Sequence, residues 1–208
     1  MRLPTLFRPV RAFAKTGFTL IEILVVMAIM SLMMALVVPA FQGVAKGTGL
    51  TRGGQMVADQ FALGRQMAVC RNTEVEVRFV WNRNAYGAVQ LWAPSSKNSA
   101  TLVPITRMET LPAAVAIANT AVLSPLISGT AGTPTIAETQ GVFPSLGSVK
   151  YCGFRFRAGG MTDLAYDSTS NYVTITSLRE CGNTSLPVNY CIVQVDPLSG
   201  RTRTYRPQ

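Results

Sequence analysis

From Phe18 to Phe41 the only polar side chains are Thr19, Glu22 and Ser31. No other feature restricts the chain as much. About 23 residues at 1.5 Å apiece span roughly 34 Å, enough to cross a bilayer core. Buried core helices are seldom apolar on every face for so long, so the pattern predicts a membrane helix. Its flanks set the direction. Residues 1–17 carry Arg2, Arg8, Arg11 and Lys15 and no acid, which keeps that end in the cytoplasm and exports the C-terminal body. A secretory signal would place its small cleavage residue after the apolar run. Here Gly17 precedes the run, so a cut after Gly17 frees a basic leader and leaves the apolar segment on the mature chain.

The 208 residues are 48% hydrophobic and 14% charged, with room for one domain plus an anchor. The leader holds four of the 19 basic residues, so trimming it leaves 15 bases against ten acids, about +5. That is moderately basic, short of a dedicated nucleic-acid binder. Histidine is absent, which excludes histidine general bases, Ser-His-Asp triads and His-ligated metals.

The run Gly17, Phe18, Thr19, Leu20, Ile21, Glu22 ahead of an apolar helix resembles the class III signal of type IV pilin-like proteins, the pilins and secretion pseudopilins. The resemblance implies cleavage by a prepilin peptidase between Gly17 and Phe18, N-methylation of Phe18, and Glu22 as the fifth mature residue. It also implies that Glu22 of one subunit pairs with the Phe18 amine of a neighbour. An acid in lipid needs such a partner: on insertion scales Asp at mid-helix costs roughly 2.5–3.5 kcal/mol, and less near the interface. Pro39 falls where pilins commonly interrupt the helix.

Beyond Phe41, Pro39 and the glycines at 43, 47, 49, 53 and 54 disfavour helix, which predicts a bend or a loosened connection over 42–54. Helical spacing returns over 55–71, with Val57, Phe61, Gly64 and Ala68 as the face that packs on a sheet. The period then switches to two: Val75, Val77 and Phe79 share one strand face, Glu74, Glu76 and Arg78 the other. Asn82, Arg83 and Asn84 make a turn into a second strand, YGAVQLW. Residues 93–147 read as a long surface excursion with an edge strand at most. Strands resume at CGFRFR, NYVTITS, YCIVQV and RTRTYR. The segment ADQFALGRQMAVCRNTEVEVRF, and FRFRAGG with the later GRTR, resemble the GspH/FimT-type minor pseudopilins. The run from Thr51 to Phe79 also resembles the pilin-like D proteins of Verru_Chthon gene cassettes.

Cys70, Cys152, Cys181 and Cys191 lie in the part expected to be exported, where oxidation is permitted. Three connectivities are open. Closing the loop between Cys181 and Cys191 would pin the last strand and leave Cys70 to Cys152; four free thiols are the other reading. The spacing fits no zinc pattern. Asp163 and Asp167 flank an apparent turn, and a hydrolase pair or calcium loop there would need more oxygen ligands. In the tail GRTRTYRPQ, Arg201 and Arg203 alternate onto one strand face with Arg206 nearby, a pattern able to grip phosphates. FimT-like minor pilins that take up DNA carry a similar C-terminal G-R-x-R.

The sequence therefore predicts an α+β, type IV pilin-like chain with no cofactor, no metal and no enzymatic role. Its parts are a cleaved leader (1–17), a transmembrane and polymerisation helix (18–41), a Gly-rich connection (42–54) and a periplasmic domain (55–208) whose antiparallel sheet packs on helix. Expected partners are other pilin or pseudopilin subunits, the prepilin peptidase and inner-membrane lipid. The alternative to a structural minor pseudopilin of a type II secretion or type IV pilus-like filament is a DNA receptor using Arg201, Arg203 and Arg206.

Overall fold

A computed structural model describes residues 17–96, 98–128, 135–166 and 170–207, with the side chains of residue 36 and residues 38–46 excepted. The leader up to residue 16 and Asp167 lie outside the described residues. The chain divides into two units, Met1–Gly43 and Val44–Gln208.

The first unit is helical. Helix α1 (Leu20–Arg71) begins here and is assigned without a break through Pro39 and the glycines. The connection over 42–54, expected to be loosened, is helical. Apolar side chains from Leu20 to Met34 are exposed on all sides of this part of the helix. Among the described residues, no helix is long and apolar enough to cross a membrane. The described apolar side chains run from Leu20 to Ala35, about 24 Å of helix, before the first excepted position.

The second unit is a sheet packed on the rest of α1. The helix ends on Asn72, held at φ 48°, while Thr73 N donates back to the Ala68 carbonyl at 3.2 Å. A left-handed asparagine is a common helix stop. Next come β1 (Val75–Asn82) and β2 (Ala85–Pro94), paired antiparallel. Arg83 and Asn84, at φ 56° and 62°, turn the chain as a two-residue hairpin requires. There follow β3 (Leu102–Pro104), β4 (Glu109–Thr110), β5 (Val115–Ile117), a short α2 (Pro125–Ser128) and β6 (Ile136–Phe143). The chain closes with β7 (Gly147–Phe156), β8 (Tyr172–Ser177), β9 (Cys191–Val195) and β10 (Thr202–Tyr205). The described strands form one antiparallel sheet ordered β10-β9-β8-β5-β2-β1-β7-β6, with β3 and β4 also on β2.

The core lies between α1 and one sheet face. Val57, Phe61 and Ala68 from the helix meet Val75, Val77 and Phe79 of β1 and Phe154 and Phe156 of β7, all fully buried. Phe61 sets its edge against Phe79 at 5.9 Å and Phe154 at 5.3 Å, geometry that favours aromatic pairs beyond area alone. The glycines expected to loosen the helix instead let it approach the sheet. A Cβ on Gly53 would touch Leu111 and Val115 at 3.1 Å, and one on Gly54 would strike Cys191. Close seating supplies what the weak helix propensity of glycine lacks.

The opposite sheet face is covered as well. Trp92, Val80, Ala88 and Phe143 form a second cluster with Leu102, Met108 and Tyr151. The 93–147 segment is thus no loose excursion: it adds β3, β4, β5 and β6 to the sheet, and Leu102, Met108 and Phe143 to this cluster.

Candidate processing and assembly site

Gly17 and Phe18 precede the helix and are exposed, Phe18 at 78%. Among the described residues, a Cβ on Gly17 would meet nothing within 4 Å. Thr19 starts the helix by capping it. Its hydroxyl accepts from Glu22 N at 3.3 Å, and its own N–H donates to Glu22 Oε2 at 3.4 Å. This reciprocal pair is a capping box, in which a Thr and an acid three residues on satisfy orphan amides of the first turn. Glu22 also sits at the positive end of the helix dipole. The T-x-x-E spacing was visible in the sequence and carries this role without any neighbour.

Residues 13–38 match the family model of the prokaryotic N-terminal methylation motif. The match takes in the Gly17–Phe18 junction, Glu22 and the apolar start of α1. It supports a type IV pilin-like subunit, processed by a prepilin peptidase, that acts with other pilin subunits and serves as a structural protein. The α1 helix and antiparallel sheet are consistent with that reading. No curated protein and no solved structure matches the chain.

The three tail arginines differ in their surroundings. Arg201 and Arg203 are exposed beside and on the edge strand β10. Arg206 is engaged: its Nη1 donates to Thr51 Oγ1 and its Nη2 to the Gly47 carbonyl at 3.1 Å. Gly200 is structural too. It holds φ +62°, and a Cβ there would strike the Gly160 carbonyl and meet Phe156 at 3.2 Å. Arg65 of α1 donates from Nε to the Ser199 carbonyl at 2.8 Å, and Asp196 accepts from Leu198 N at 3.0 Å and Ser199 Oγ at 2.8 Å. The Ser199 hydroxyl holds the Asp196 carboxyl below its usual range.

No disulfide joins Cys70, Cys152, Cys181 and Cys191 in this structure. Cys70 is exposed on α1, whereas Cys152 and Cys191 are buried in the main core. Cys181 sits in a separate cluster with Ala85 and Ala116. Neither expected pair shares a cluster. Asp163 accepts from Arg155 N at 2.8 Å, which makes it a turn residue.

The polar face of β1 hides an ionic group that alternation alone presents as ordinary surface. Glu76 and Arg78 are buried. Arg78 Nη2 lies 2.6 Å from Glu76 Oε2, and Arg155 Nη2 lies 2.9 Å from Glu76 Oε1. The Arg78 guanidinium is stacked between Trp92 at 4.1 Å and Tyr151 at 4.5 Å, a cation–π sandwich. Elsewhere on β2, buried Tyr86 donates to Glu138 Oε2 at 2.6 Å. Tyr86, then Lys150, hold the Glu138 carboxyl low, while burial pushes the Cys152 thiol up to about 12. Tyr86 and Cys152 belong to the core cluster under α1, whereas Arg78 stacks on Trp92 and Tyr151 of the opposite face.

Proposed function

We propose that this chain is a minor pilin or pseudopilin of the GspH/FimT type, a structural subunit of a type II secretion or type IV pilus-like filament. The leader is removed after Gly17 and Phe18 is methylated. Residues 18–41 hold the subunit in the inner membrane, with the C-terminal domain on the periplasmic side, until assembly draws them into the filament. There Glu22 exchanges its capping contact for the Phe18 amine of an adjacent subunit. The observation that carries this reading is the methylation-motif match falling on an exposed Gly17–Phe18 junction directly before a capped helix. The test is the N-terminus of the protein recovered from membranes. Mass spectrometry is expected to find methylated Phe18 as the first residue; a mature chain beginning at Met1 overturns the proposal.

A second reading rests on Arg201 and Arg203, exposed with no ion-pair partner among the described residues. On this reading the filament carries a DNA receptor. Binding would weaken steeply with salt, and Arg201→Ala with Arg203→Ala would abolish it. No binding at low salt removes this reading and leaves the structural one intact.

A further inference from the structure

Between Gly47 and Gly54, half the residues of α1 are glycine: 47, 49, 53 and 54. Such a run has little helical tendency of its own. Its helix is held from outside. Leu50 is buried, Gly53 rests on Leu111 and Val115, and Gly54 rests on Cys191. At its N-terminal end the holding group comes from the tail. Arg206 reaches from beyond β10 to Thr51 Oγ1 and to the Gly47 carbonyl, which Thr51 Oγ1 also contacts at 3.1 Å. Some 155 residues separate the two ends of this contact.

We propose that Arg206 is a strap that keeps the glycine-rich stem helical, so that stem and tail form one conformational device. With the strap fastened, residues 47–54 stay coiled against β9 and β5. With it released, the Gly47 carbonyl and the Thr51 hydroxyl lose their bonds to Arg206, and the first turn of the stem unwinds. The strap is chemically suited to release. Both acceptors are neutral and the guanidinium is exposed, so an anion competes for it on favourable terms.

Hydrogen exchange on the full-length chain in detergent micelles tests this. In Arg206→Ala the amides of residues 48–55 are expected to exchange about tenfold faster, while those of β1, β2 and β7 keep their rates. Adding Gly47→Ala and Gly49→Ala, where a Cβ would meet its nearest neighbour at only 3.5 Å and 3.4 Å, restores slow exchange by making the stem helical without the strap. Unchanged exchange in Arg206→Ala overturns the proposal. So does faster exchange spread evenly over the sheet, or a glycine-to-alanine pair that fails to rescue.

Discussion

Gly54 of α1 and Cys191 of β9 meet with no room between them for a methyl group. A side chain there must push the helix off the sheet. Gly54→Val is therefore expected to lower stability by about 1–3 kcal/mol. Trimming the partner with Cys191→Ala in the same chain should return part of that loss. Urea denaturation of the four members of this double-mutant cycle measures the coupling.

Buried and exposed ion pairs should respond unequally. Glu76→Gln leaves Arg78 in its aromatic slot without its carboxylate, at an expected cost of about 3–5 kcal/mol. Lys150 and Glu138 pair at 2.9 Å with side chains 53% and 48% exposed. Lys150→Met should cost under about 1 kcal/mol. Thermal or urea midpoints compared side by side check both.

Acid separates wild type from Tyr86→Phe. The Glu138 carboxyl is held below its usual 4.5, first by Tyr86 and then by Lys150. A depressed folded value contributes stability that is fully present above 4.5 and is lost as pH falls through that lower folded value. The advantage of wild type over Tyr86→Phe should thus shrink on acidification below about 4.5. Denaturation midpoints between neutral and acidic pH follow it.

A thiol reagent should find one fast site. Cys70 is exposed, whereas Cys152 and Cys191 are buried, and burial lifts both of those thiols away from the reactive thiolate. Peptide mapping after brief alkylation should show Cys70 modified in the native chain, and Cys152 and Cys191 modified only after unfolding. Protection of Cys70 that is lifted by a reductant would establish a disulfide instead.

Glutamine separates the two roles of Glu22. A capping box accepts Gln as well as Glu at its third position, so Glu22→Gln should keep the helix start while losing the charge. Thr19→Ala should loosen that start by about 0.5–2 kcal/mol. If assembly uses the carboxylate as an ion, Glu22→Gln is expected to fail in filament formation with its helix content unchanged by circular dichroism.

Much of this architecture could be read from residue patterns. The apolar stripe Val57, Phe61, Gly64 and Ala68 is the buried helix face, and the alternation from Val75 to Phe79 is β1. Strands β8 to β10 and the second half of β7 fall in the runs read as strands. What stayed hidden depends on contacts made far away in the chain. Period two separates Glu76 and Arg78 from Val77 but says nothing of what covers them; Arg78 is covered by Trp92 and Tyr151 of the neighbouring strands. The glycines were read through propensity alone, which points to a break, whereas tertiary seating turns the same residues into contact points. At the candidate site the cleavage junction was legible, and the T-x-x-E cap was legible and overlooked. In the tail, spacing alone could not tell a free arginine from Arg206, bound to Thr51.

The sheet has β10 as one of its two open margins, and that margin carries arginine at 203, with Arg201 just before it. Strand margins are templates on which further chains can add. Here like charges would face each other if two copies met margin to margin, so the domains resist zipping into a continuous ribbon. Charge on this margin therefore works against pairing of two copies edge to edge.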